Sequence, residues 1–146
     1  THRKPMMDVL NQNTFYNIAK LEDGKRVSIE EYYQRISSAK ILLAPFGYGE
    51  MAPRDLDAAQ FGAVLIKPDM DFVDTVPNVF VANETYISCK HDYSDLKEKI
   101  DMILGNYKEY HYIIDNARKK FQEVMNPEHL AVHLYNMFKG MKGITT

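Results

Sequence analysis

ILLAPFGYGEMAPRDLDAAQFGAVLIKPD, residues 41–69, decides the fold. It opens on Ile41-Leu42-Leu43-Ala44, a short apolar run of the kind expected for a strand buried on both faces. Pro45-Phe46-Gly47-Tyr48-Gly49-Glu50 breaks that run. Pro53 suits the first turn of a helix, where its missing N–H would have no partner in any case. Arg54 to Phe61 then supplies about two turns. Gly62 stops them, since glycine takes a positive φ without steric cost. Ala63-Val64-Leu65-Ile66 is a second apolar strand, ended by Lys67-Pro68-Asp69. Two buried strands joined by a helix are most simply parallel, with a right-handed crossover. Ligands of such sheets bind beyond the carboxyl ends of the strands. Residues 45–53 and 67–71 both lie at that end.

Working outward, the flanks sustain an α/β alternation. Residues 2–11 are compatible with a short helix, and residues 12–20 with a strand whose apolar part is Phe15, Tyr16 and Ile18. Residues 21–25 hold an Asp-Gly turn. Ser28-Ile29-Glu30-Glu31 fits a capping box, and Ile29, Tyr32, Tyr33 and Ile36 form an apolar stripe at helical spacing. Residues 71–83 read as mostly loop, interrupted by Pro77 and Asn78, and residues 84–89 as a strand. Asp92 or Ser94 caps a helix with Leu96, Ile100, Ile103 and Leu104 on one face, closed by Gly105. A second helix runs from about Tyr107 to Val124. Its stripe is Tyr107, Tyr110, His111, Ile114, Ala117, Phe121 and Val124. A third starts at Asn126-Pro127, with Leu130, Leu134, Met137 and Phe138 on its buried side. The expected class is therefore α/β: a parallel sheet flanked by helices, ending in a helical tail.

The 146 residues are enough for one domain with a real core. Eighteen Lys and Arg nearly cancel twenty Asp and Glu, so no general attraction to nucleic acid or to an anionic membrane follows. The single Cys89 excludes an internal disulfide and a multi-cysteine zinc site, and points to a reducing, cytoplasmic setting. No apolar run approaches the length of a membrane span, and no signal-peptide pattern opens the chain.

The loop offers the first candidate chemistry. Gly47 and Gly49 flank Tyr48, and the following helix presents further N–H groups at its positive end, which suits a phosphate or diphosphate. The alternative is that the glycines only make a tight turn. Arg54 stands in the first helical turn, where a cation is disfavoured unless an anion is bound nearby; a guanidinium grips such an anion bidentately. Alternatively it pairs with Glu50 or Asp57. Asp57, one turn beyond Arg54, is either an acceptor for ribose or sugar hydroxyls or an ordinary helical acid. His91 is at a strand end, either near a ligand or solvated. His129 and His133 have the spacing of helical metal ligands, but the zincin pattern fails and no third ligand is evident. Tyr107, Tyr110 and Tyr112 read as packing.

Ser38-Ala39-Lys40, the loop from Pro45 to Glu50, Arg54, Asp57-Ala58 and the run from Gly62 to Ile66 together resemble the C-terminal, nucleotide-sugar-binding domain of GT-B glycosyltransferases. The resemblance extends more loosely over residues 86–103 and the closing helices. It implies a Rossmann-like domain over residues 1–146 that holds a nucleoside-diphosphate sugar at its strand ends. Gly47, Tyr48, Gly49 and Glu50 match the loop near the diphosphate or donor sugar, and Lys67 stands at the same strand ends. Arg54 matches a basic group near the phosphates, so Glu50 and Arg54 are the expected catalytic groups. Asp57 matches the second acid of the family's acid-x7-acid motif, which usually meets the ribose. Here Asp57 replaces the usual Glu, and the position eight residues earlier is Gly49. Enzymes of this family generally use no metal cofactor, because positive side chains and helix dipoles stabilise the departing diphosphate. They also carry an N-terminal acceptor domain, so the chain is expected to be one half of a two-domain enzyme, inactive alone. The other reading is a non-catalytic Rossmann-like module that binds a nucleotide or a protein.

Overall fold

The computed structural model describes residues 3–12, 16–18, 27–75 and 78–140. Three strands, β1 (Ile41–Leu43), β2 (Val64–Pro68) and β3 (Ile87–Cys89), form one parallel sheet in the order β1-β2-β3. Ile41 pairs with Val64, and Ile66 with Ile87. The central strand is buried throughout, which matches its unbroken apolar run. β1 is only partly buried, because it pairs on one side alone among the described residues.

Helix α3 (Pro53–Phe61) links β1 to β2. Pro53 occupies its first turn, and Gly62 ends it at φ 83°. Tyr107 Oη donates to Gly62 O at 3.1 Å, and Arg118 Nε donates to Ala59 O at 2.7 Å. These donors satisfy carbonyls that a helix end leaves free.

Alternation along β2 builds two cores. Val64 and Ile66 face one side, against α1 (Arg3–Asn11), α4 (Leu96–Gly105) and the start of α5 (His111–Met125). Leu65 faces the other, with Ala58 of α3, Phe46, Met70, Phe80 and Tyr86. The fold is thus mixed α/β, a small three-stranded parallel sheet flanked by helices.

Several expectations change. Residues 16–18 form no strand; residues 13–15 and 19–20, and the expected turn at 21–25, lie outside the described residues. Tyr16 instead packs on the first core and hydrogen-bonds Asp101 through its hydroxyl. In α2 (Ile29–Ser37) the Ser28 cap forms, accepting from Glu31 N at 3.2 Å. Its expected stripe divides: Ile36 is buried, while Ile29 and Tyr33 are exposed. The strand expected over 84–89 shortens to Ile87–Cys89, because residues 82–86 turn around Thr85, whose Oγ1 donates to Val79 O at 2.7 Å and accepts from Val81 N at 2.9 Å. Gly105 ends α4 without a positive φ. Leu104 on that helix is exposed.

The helix expected from Tyr107 begins as a 3-10 turn, Tyr107–Tyr110, before α5. In α6 (Pro127–Gly140), Leu130, Leu134, Met137 and Phe138 are exposed, not buried. Among the described elements α6 packs chiefly against α5, so most of its apolar face has nothing to cover it. No described helix is long and apolar enough to cross a membrane.

Candidate functional site

A cleft of about 580 Å³ opens beyond the carboxyl ends of β1 and β2. One wall is the glycine loop, through Gly49, Glu50 and Met51. The other is the segment after β2, through Val73, Asp74 and Thr75. Leu56, Val79, Phe121, Val124 and Met125 complete an apolar lining. Its volume is in the range of small-molecule sites.

The glycine loop projects into solvent, with Gly47, Tyr48, Gly49 and Glu50 all exposed. Gly47 N donates to Gly49 O at 3.2 Å, so one amide is already used inside the loop. Neither glycine has a positive φ, and a Cβ at either would meet nothing within 4 Å. Backbone conformation and crowding within the chain therefore do not require glycine here.

Lys67 is directed inward. Its side chain is 1% exposed, and Nζ donates to Asp55 Oδ2 at 2.6 Å and to Glu50 O at 2.5 Å. The ammonium also stands 4.7 Å from the Phe80 ring centroid and 5.6 Å from that of Phe46, within cation–π range. Burial pushes its pKa below the ordinary lysine value, against the opposing pull of the Asp55 carboxylate. Within the chain Lys67 thus acts as a strut between Asp55 and the glycine loop. Lys67 fixes the Glu50 carbonyl from behind while the Glu50 side chain stays exposed.

Asp55 is the residue that sequence reasoning passed over. Its Oδ2 also accepts from Ala52 N at 3.0 Å, closing the first turn of α3. The signal was an acid at the third helical position after Pro53, where a carboxylate reaches back to free N–H groups.

Arg54 and Asp57 do not line the cleft. Arg54 is half-buried and makes no ion pair among the described residues, with Glu50 and Asp57 included. Asp57 instead accepts from Tyr32 Oη at 2.7 Å, which joins α2 to α3. Burial first, and the Asp57 carboxylate second, hold the Tyr32 phenol above its usual range.

His91 stands beside Phe46 and Phe72, at ring-centroid distances of 5.7 and 5.4 Å. His129 is exposed. No three of His, Cys, Asp and Glu group to hold a metal ion among the described residues. Comparison with protein-family models, with curated proteins and with solved structures finds no match.

Proposed function

We propose that this chain is the nucleotide-sugar-binding half of a GT-B glycosyltransferase, a Rossmann-like domain serving transfer of a sugar from a nucleoside-diphosphate sugar to an acceptor. The observation that carries the reading is the cleft at the carboxyl ends of two parallel strands, with Gly49 and Glu50 on its wall. That is where open parallel sheets take their ligands. In this reading the glycine loop receives the diphosphate and donor sugar. Arg54 offsets the charge that develops on the departing diphosphate. Asp57, oriented by Tyr32, meets the ribose. An acceptor-binding domain elsewhere in the enzyme completes the catalytic site, so this half alone transfers no sugar. No metal cofactor is part of the mechanism, and the setting is cytoplasmic.

One observation favours a second reading, a non-catalytic module that binds a nucleotide or a protein. Asp55 already occupies the first turn of α3, where a phosphate would otherwise be received, and Arg54 and Asp57 stand off the cleft.

Thermal stability against UDP, GDP, ADP, CMP and their sugar conjugates tests the proposal, with Arg54→Ala as control. A ligand at a hundred times its dissociation constant adds about 2.7 kcal/mol. Each kcal/mol raises the melting temperature of a domain near this size by roughly 2–4 °C. The donor reading expects one base to stabilise the wild type and to lose its effect in Arg54→Ala. A shift that ignores Arg54→Ala and Asp57→Ala favours the second reading, and no shift from any compound contradicts both nucleotide-binding readings.

A further inference from the structure

Helix α6 carries two stripes on opposite sides. Leu130, Leu134 and Met137 form the less exposed one. Glu128, Val132, Tyr135 and Lys139 form the other, at 4-3-4 spacing and within about 60° of one another around the helix. That spacing is the one by which helices pair along a seam. Val132 is 60% and Tyr135 64% exposed. Glu128 and Lys139 are exposed too, and neither makes an ion pair among the described residues. Lys139 Nζ stands 6.0 Å from the ring centroid of Tyr135, on the same stripe.

The second stripe is symmetric under reversal. The midpoint between Glu128 and Lys139 is also the midpoint between Val132 and Tyr135. Suppose a second copy lies antiparallel across it, related by a two-fold axis at that midpoint. Glu128 then meets Lys139 of the second copy, and Val132 meets its Tyr135, each pair occurring twice. The acid stands in the first turn of α6 and the base in the last, so a parallel pair would instead oppose like charges. Phe138, 70% exposed, lies on the same flank of the stripe as Ala131. Reversal brings the ring of one copy beside the small Ala131 of the other.

We infer that α6 is a self-association surface, on which two copies of this chain pair antiparallel through Glu128, Val132, Tyr135 and Lys139. The charge complementarity selects a second copy as the occupant. A helix of 14 residues is about 21 Å long, so one such face against its copy falls short of the roughly 1,200 Å² of a stable interface. The association is therefore weak and reversible. It is independent of the donor-binding reading.

The test is sedimentation equilibrium of the chain from about 10 µM to about 1 mM. It uses wild type, Glu128→Lys, Lys139→Glu, the double exchange of both, and Val132→Glu, with circular dichroism and melting temperatures recorded to show that each is folded. Wild type is expected to show a monomer–dimer equilibrium. Each single reversal should weaken it roughly 5- to 100-fold, because two attractive pairs become two repulsive ones. The double exchange should restore most of the loss. Val132→Glu, which sets a carboxylate in the seam, should leave a monomer. A wild type that is monomeric throughout overturns the inference and leaves this face to another domain or partner. A dimer indifferent to the single reversals also overturns it. So does a double exchange weaker than either single change, the result expected if the two charges act only on the dipole of their own helix.

Discussion

Lys67 Nζ lies 2.6 Å from Asp55 Oδ2, with both side chains sealed from solvent. This pair joins the central strand to the first turn of α3, and through Glu50 O to the glycine loop. Removing one partner leaves the other charge buried and uncompensated, which costs about 3–5 kcal/mol. Lys67→Met and Asp55→Asn should each fall in that range in urea unfolding. The double variant should lose clearly less than the sum, because with both ionisable groups gone no buried charge is left unpaired. Strict additivity would show that the two groups are not coupled.

Glycine positions separate structural from functional demands. Gly62 sits at φ 83°, and an added Cβ would lie 3.3 Å from Arg118 Nη2. Gly62→Ala should therefore destabilise the fold by about 1–2 kcal/mol. Gly47→Ala and Gly49→Ala have open space and no positive φ, so their unfolding free energy should stay within about 0.5 kcal/mol of wild type. Any loss of nucleotide binding in those two variants then reports on the loop's approach to ligand. A large fall in their stability would contradict the described loop.

Cys89 is 3% exposed at the end of β3. Burial first, and the nearby Asp95 carboxylate second, push its thiol from an ordinary 9.0 up to about 12. At pH 8 the folded protein should thus react with a thiol-selective disulfide reagent only as fast as it opens, and the unfolded protein promptly. The linkage sign follows from the raised value. The stability tied to the protonated thiol is complete below about pH 9 and is lost as pH rises towards 12, since the unfolded chain gives up its proton first. The stability difference between wild type and Cys89→Ala should shift against the wild type over that window. Rapid labelling of native protein at pH 8 would contradict the burial of this thiol.

Ser28 caps α2 through its accepted bond from Glu31 N. Ser28→Ala should cost about 0.5–2 kcal/mol by urea unfolding. Ser28→Asp should recover most of it, as another good cap at the same position. Equal loss in both variants would assign the hydroxyl some role other than capping.

Much of this architecture can be read from local chemistry. The strand–loop–helix–strand unit from Ile41 to Pro68 carries its own punctuation, with Pro53 at the helix start and Gly62 at its end. The Ser28 cap is equally local. Features set by distant packing are not legible in that way. Leu130, Leu134, Met137 and Phe138 have a core-like pattern, yet pattern alone does not say whether a neighbour exists to cover them. Tyr16 and Ile18 are partly buried, but by packing on the first core. Lys67 looks like a ligand contact because it ends a strand. Its inward turn depends on Asp55, twelve residues away and on another element. The Phe46–Phe72–His91 cluster likewise draws on three separate loops that only the sheet brings together.

The claim that ligand binds beyond the carboxyl ends of β1 and β2 is tested most directly by amide-resolved NMR. The uniformly labelled chain would be titrated with UDP, GDP and ADP. The account predicts saturable shifts for one of them, concentrated in residues 46–51 and 71–75, with amides of α4 and α6 unmoved. Saturable shifts confined to α4, α6 or the exposed face of α5, with those two loops unmoved, would contradict it.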